Sequence, residues 1–384
     1  MERLLAALQS LALDSEAAAA ERVAPLLYFG SPATASPALQ KAYYESAARN
    51  VLLLDALDEL TSAFASRGVR PVLLKGADFA TSLYPSAALR PMSDLDLWVA
   101  PEDVTLAENA LASLGYRPAV PEMTKGLARA IRHAQLYVSG TRGDVAVDLH
   151  WSLVGHDTDR RAPSLDWFRS RCVVSRASRL DATASLLYLA GHMKLQHYDE
   201  RLPLIWLSDF YLLSLRSEVN WQALFEAARS FRWEAALAAT AAEVEARLGI
   251  GLPPPLAAYA PTVSMAIPDH KGGPERAWNE LVALSFGGRA ALVKAFFFPC
   301  PSYVRFRYRP RPAWTWPLCY PKRWAQILLS AASLAVKPRR SRPLLVPFQL
   351  FESQSAPKRS LTFSRSGDVL LEEEQVGTAL GETP

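Results

Sequence analysis

The sequence predicts an α+β protein in which a small mixed-sheet domain is flanked by N-terminal helices and a C-terminal helical domain. Three observations carry this. Apolar residues recur at helical spacing up to Gly68. Between residues 69 and 160 short β-type runs alternate with helical ones and end in a hairpin. After Asp181 the pattern is helical for about seventy residues. The expected organisation is N-terminal helices over 1–68, an α/β domain over 69–160 and a helical domain over 161–300. A basic, aromatic segment (301–352) and a polar tail (353–384) follow, the tail lacking periodicity and expected to be mostly disordered.

In the stretch from Leu39 to Gly68, Leu53, Leu57, Leu60 and Phe64 line one side of a helix, and the glycine is placed to stop it. "VRPVLLKG" then forms a β-type run to Gly76, and "ADFATSLY" a helix closed by Pro85. After the loop "PSAALRPMS" comes the strand "DLDLWV". Pro101, Glu102 and Asp103 suit a helix start, and Gly115 suits its end. "AQLYVSGTRGDVAVDLHW" reads as two strands joined by a glycine-containing turn. Asp181 is placed to cap the first helix of the helical region.

Composition narrows the class. Half of the chain is hydrophobic and 21% is charged, as in folded globular proteins. The three cysteines, Cys172, Cys300 and Cys319, lack ligand spacing and argue against a disulfide framework or zinc knuckle. The N-terminal residues read as a helix rather than a signal peptide, and the longest apolar run, Ala325 to Val336, is too short to span a bilayer. A cytoplasmic location is the expectation. Between Tyr303 and Pro343 lie ten Lys or Arg and no acid, which leaves the remainder at 32 basic against 38 acidic residues. Arg305, Arg307 and Arg309 alternate as on one face of a strand. This segment, 303–342, suits an anionic partner, whether nucleic acid, a membrane surface or the acidic remainder of the chain.

The chemistry concentrates in acids. Alternation puts Asp94, Asp96 and Trp98 on one face of "DLDLWV" and Leu95, Leu97 and Val99 on the other. In the later strand Asp148 and His150 share a face, opposite Leu149 and Trp151. Paired carboxylates repel unless a cation joins them, and Mg²⁺ prefers such oxygens while keeping positions open for phosphates. A polar edge strand is the plain alternative for a lone D-x-D. Many glycosyltransferases carry that pair at the end of an apolar strand, whereas here it opens one. "GTRG" lacks a P-loop ending, and no G-x-S-x-G is present.

The run "LLKGADFATSLYPSAALRPMSDLDLWV", with "ALASLGYRP", "VDLHW" and "AGHMKLQHYDERLPLIWLSDFYLL", resembles a bacterial group of uncharacterised nucleotidyltransferase-like proteins in the polymerase-β-type superfamily. The likeness continues more loosely with "FFPCPSYVRFRY" and "CYPKRW" and so covers roughly residues 40 to 330. It implies that Gly76 is the phosphate-approaching glycine, that Asp94 and Asp96 bind metal, and that Asp148 is the third acid. It further implies Mg²⁺ (or Mn²⁺) as cofactor and an NTP, ATP first among them, as donor to an unknown acceptor. The chain departs from the superfamily in having Ala77 after the glycine, Lys75 before it, and a longer spacing to Asp94.

Lys75 and Arg90 are candidates to neutralise phosphate charge, or else a surface strand end and a structural partner of an aspartate. His150 either touches substrate or orients Asp148. His192 and His197 stand five apart, about 140° around an ideal helix, which is wrong for a shared metal. Lys194 and His197 share a face that Arg201 would extend, and with His192 and Asp209 they are candidates to border the cleft. A non-catalytic protein of the same fold and a sugar-nucleotide-dependent transferase stand as alternatives.

Overall fold

A computed structural model describes residues 1–124, 126, 129, 132–142, 145–154, 163–174, 177–197, 201–263, 286–326, 362–363 and 369–370. Three short helices, α1 (Glu2–Ser10), α2 (Ser15–Ala20) and α3 (Ala24–Gly30), precede the 29-residue α4 (Pro37–Ala65). Ser36 caps α4 by accepting from the Leu39 N–H, and proline takes its first position. Gly68, at φ +75°, ends the turn that follows, as the sequence predicts.

The α/β elements alternate in the expected order. β1 (Val72–Leu74) leads directly into α5 (Lys75–Ser82), then β2 (Leu95–Trp98), α6 (Val104–Ser113) and β3 (Tyr116–Pro118). β4 (Ala134–Ser139) and β5 (Ala146–His150) form the antiparallel hairpin. Beyond a short α7 (Leu165–Arg169), β6 (Cys172–Val173) and β7 (Ser178–Leu180) extend the same sheet, from a stretch too short and polar to signal strands. Among the described residues the sheet has seven strands in the order β3-β4-β5-β2-β1-β7-β6. β2 runs antiparallel to β1 and parallel to β5.

Strand alternation sends the two faces of this sheet into different cores. Leu73, Leu95, Leu97, Val99, Val147 and Leu149 pack with Leu53, Leu57, Leu60 and Phe64 of α4 and with α6. Val72, Leu74 and Trp98 face the other way, into a core shared with α1, α3 and the later helices. The sheet is therefore a middle layer, and its acids lie on the face turned toward the helical region.

That region comprises α8 (Ala182–Gly191), a π turn over His192–Gln196, α9 (Leu204–Ser214), α10 (Trp221–Phe231), α11 (Glu234–Leu248) and α12 (Pro254–Tyr259). Asp181 caps α8 through the Ala184 N–H at 2.7 Å, as expected. Glu21 ties the first helices to this region by accepting from Arg247, Arg201 and the Leu204 N–H. α13 (Phe286–Phe297) precedes the basic segment, which opens with α14 (Pro301–Tyr308). The strand-like alternation of Arg305, Arg307 and Arg309 is thus corrected. Proline at the first turn favours a helix here, and Arg309 ends it in left-handed backbone at φ +42°. The expectations for 327–352 and for most of the tail lie outside the described residues, apart from a short pairing of Thr362–Phe363 with Val369–Leu370.

Gly191, the last residue of α8, lies against Trp233, which caps the start of α11. A Cβ there would stand 2.5 Å from the ring of Trp233, which is itself fully buried. Gly191→Ala is expected to lower stability by about 1–3 kcal/mol through overpacking, read as a lower denaturation midpoint with an unchanged slope.

Candidate active site

The parallel pairing of β2 with β5 sets Asp96 directly beside Asp148, the juxtaposition that alternation anticipates. Asp94 lies one step before β2, where it accepts from the Ser93 hydroxyl at 2.9 Å. The neighbours of Asp96 are cationic. Lys75 Nζ stands 2.8 Å from its Oδ1, and His150 Nε2 stands 3.1 Å from that same oxygen. His150 Nε2 also reaches Asp148 Oδ2 at 3.1 Å, so one imidazole bridges both carboxylates.

Lys75 reaches this position by leaving strand geometry. Simple alternation after Leu74 would carry it to the opposite face, but its backbone is left-handed at φ +45°. That conformation is unfavourable for a side chain with Cβ, so the surrounding contacts must hold it. Gly76, by contrast, is not at positive φ. A Cβ at 76 would meet Arg90 Nη1 at 3.4 Å and Met92 Sδ at 3.6 Å, which are ordinary contacts. Internal packing therefore does not require glycine there.

The charges sustain one another. Burial disfavours ionised Asp96, but Lys75 and His150 outweigh it and hold the carboxyl far below its ordinary value. Burial likewise opposes charge on His150, yet Asp148 and Asp96 lift the imidazole to about 9. Asp94 shifts upward, through burial and the repulsion of Asp96 and Asp148. The cluster sets three carboxyl groups against Lys75 and His150.

Arg90 does not face the acids. It lies buried against α9, where Nη2 donates to Asp209 Oδ2 at 2.8 Å and Nε to the same oxygen at 3.1 Å. Tyr84 Oη donates to Asp209 Oδ1 at 2.7 Å and completes the pair. The loop before Asp94 is held by side chains from the first helices. Asn50 donates to the Arg90 carbonyl at 2.9 Å, Arg22 to that of Pro91 at 2.9 Å, and Arg49 to that of Ser93 at 2.8 Å.

The helical region reaches the cluster through His192. Its Nε2 is 3.3 Å from Lys75 Nζ and its Nδ1 is 2.6 Å from Gln196 Oε1. Burial, and then the Lys75 charge, keep it neutral, so Nδ1–H donates to Gln196 while Nε2 accepts from Lys75. The 140° expected between His192 and His197 is corrected by the π turn. Bonding from i to i+5 brings residues five apart together, and the ring centroids are 4.8 Å apart. Trp206 packs on both rings. Lys194 pairs instead with Glu243, and Arg201 with Glu21. Tyr188, fully buried and one helical turn before His192, is a neighbour of Lys75 that the apolar run around it concealed.

The carboxylates are of the ligand type that a hard divalent cation takes, although the cluster also includes His150. Asp96, Asp148 and His150 offer one ligand atom each within 4.8 Å of one another, and Asp94 adjoins them. While His150 is protonated it offers no lone pair to a metal, and with Lys75 it takes up the oxygens that such an ion would use.

Asp78 on α5 is a separate buried acid. Burial pushes it up to about 6, against the opposing effects of Arg179, a hydrogen bond from Ser82 and Arg90. The unfolded chain loses this proton first, near pH 4, so stability falls as pH rises from there through about 6 and stays lower above. Asp78→Asn is expected to raise stability at neutral pH by about 3 kcal/mol, with the gain vanishing below about pH 4 in melts across pH.

No curated protein and no solved structure matches the chain. Residues 15–249, from the start of α2 to the end of α11, match the family described as Uncharacterised nucleotidyltransferase. With well over half its length matched, the chain belongs to this family of the polymerase-β-type nucleotidyltransferase superfamily.

Proposed function

We propose that the protein transfers a nucleoside monophosphate from an NTP, ATP first among them, to an acceptor hydroxyl or phosphate, releasing pyrophosphate. The observation that carries this reading is the pairing of Asp96 with Asp148 across parallel strands, with Asp94 adjoining. A Mg²⁺ or Mn²⁺ ion held by Asp94, Asp96 and Asp148 would neutralise the triphosphate and activate the attacking oxygen. Asp148, whose side chain is 27% exposed against 10% for Asp96, is the acid an acceptor reaches, and it assists removal of the acceptor's proton. Lys75 and His150 lie within reach of the same oxygens and turn their charge to phosphate when a ligand displaces them from Asp96. Gly76, buried at the start of α5, is the glycine that would lie near the phosphates, and no internal contact requires glycine there. Arg90 and Asp209 act at one remove, by holding the loop that presents Asp94.

One observation favours a second reading, a non-catalytic protein that keeps the fold: the acids are already neutralised in large part by Lys75 and His150. Melting curves with NTPs and sugar nucleotides, with and without Mg²⁺, separate the readings. Catalysis predicts stabilisation by NTP with Mg²⁺ above that by UDP-sugars, and the silent reading predicts no shift. With α-labelled NTP and the acceptor in hand, Asp94→Asn and Asp96→Asn are each expected to lower transfer at least about a hundredfold. Full transfer by either variant would contradict the mechanism.

A further inference from the structure

The chain from 281 to 351 contains no Asp or Glu, and residues 286–326 within it carry eight Lys or Arg. This part lies beyond the residues that match the family. Its inner side is fastened to the sheet domain. The Cys300 N–H donates to the Met123 carbonyl at 2.7 Å, and Leu292, Ala295 and Tyr303 bury themselves with Val120 and Met123. Arg323, buried on that side, lies over the Tyr303 ring.

The exposed side chains of this part are apolar and cationic at once. Trp314 is 75% exposed, Leu318 69% and Phe298 59%, with Val293 and Phe306 exposed beside them in sequence. Arg305 lies over the Trp316 ring at 5.3 Å and Lys322 near the Tyr308 ring at 5.9 Å, so charges are interleaved with rings rather than set apart from them. Ring contacts from Phe298 through Trp324 and Tyr320 to Trp316 join the elements into one unit. Exposed large side chains gathered on one such unit mark an interaction surface.

We propose that this face docks on an anionic lipid surface. A bilayer interface takes tryptophan and tyrosine at headgroup depth, accepts leucine, valine and phenylalanine just below, and attracts arginine to its phosphates. Single-stranded nucleic acid would use the charges and the rings, but Val293 and Leu318 have no π face on which a base could stack. The complete absence of acids removes the repulsion that a negative surface would otherwise meet. The inference is independent of the proposed transfer reaction, because none of these residues belongs to the acid cluster.

Flotation of the full chain with phosphatidylcholine vesicles, with and without phosphatidylglycerol, tests it. The protein is expected to float with the anionic vesicles only, and less so as salt is raised. Arg305→Glu with Lys322→Glu, the two cations set beside the rings, is expected to lower the partition at least about tenfold. Trp314→Ser with Leu318→Ser is expected to lower it severalfold, with circular dichroism unchanged. Failure to float with anionic vesicles, equal flotation with neutral ones, or unaltered flotation of both folded variants would overturn the proposal. Tight binding of a labelled single-stranded oligonucleotide without flotation would overturn it too, and assign the face to nucleic acid.

Discussion

Setting two carboxylates side by side on neighbouring strands costs free energy through their repulsion and through their burial. The pairing of Asp96 with Asp148 imposes that cost at the centre of this sheet. Much of the surrounding structure meets it. Lys75 adopts a left-handed backbone to reach Asp96, and His150 bridges both acids. His192 stays neutral beside Lys75 and so adds no second charge to repel it. The helical region thereby joins the sheet through a hydrogen bond to a cation as well as through an apolar core.

A second buried pair, Arg90 with Asp209, fixes the loop in front of the acids. Removing one partner would leave a buried charge uncompensated, a loss of about 3–5 kcal/mol in comparable pairs. Together with Asn50, Arg22 and Arg49, the pair makes the first helices and α9 joint supports of the segment that delivers Asp94. The first helices are thus part of the site's scaffold, and the family match beginning at residue 15 takes in most of them.

The acids were legible because a strand's period of two is strict. "DLDLWV" and "DVAVDLHW" each separate their acids from most of their aliphatic residues by parity alone, and the observed register agrees. The long helix α4 was legible for a similar reason, its apolar stripe ending at a glycine. What escaped depends on contacts distant in sequence or on departures from ideal geometry. Nothing near Arg90 announces that its partner is Asp209, 119 residues on. The π turn after Gly191 breaks the assumption of 3.6 residues per turn on which the separation of His192 and His197 rested. Lys75 was a candidate for the site, but the positive φ that turns it off the parity of β1 and toward Asp96 leaves no mark in the sequence. The arginines of the basic segment alternate in sequence, but Pro301 starts a helix there and local alternation over three residues cannot outweigh it.

On the proposed reading, the acids on β2 and β5 form a divalent-cation site whose charge is met by Lys75 and His150 when no cation is bound. Titration of the protein with Mn²⁺, followed by loss of the free-ion electron paramagnetic resonance signal, tests it most directly. The account predicts saturable binding that an NTP strengthens, that Asp96→Asn or Asp148→Asn abolishes, and that Lys75→Met tightens by removing the competing cation. Absence of binding, or binding unchanged in both aspartate variants, would contradict it.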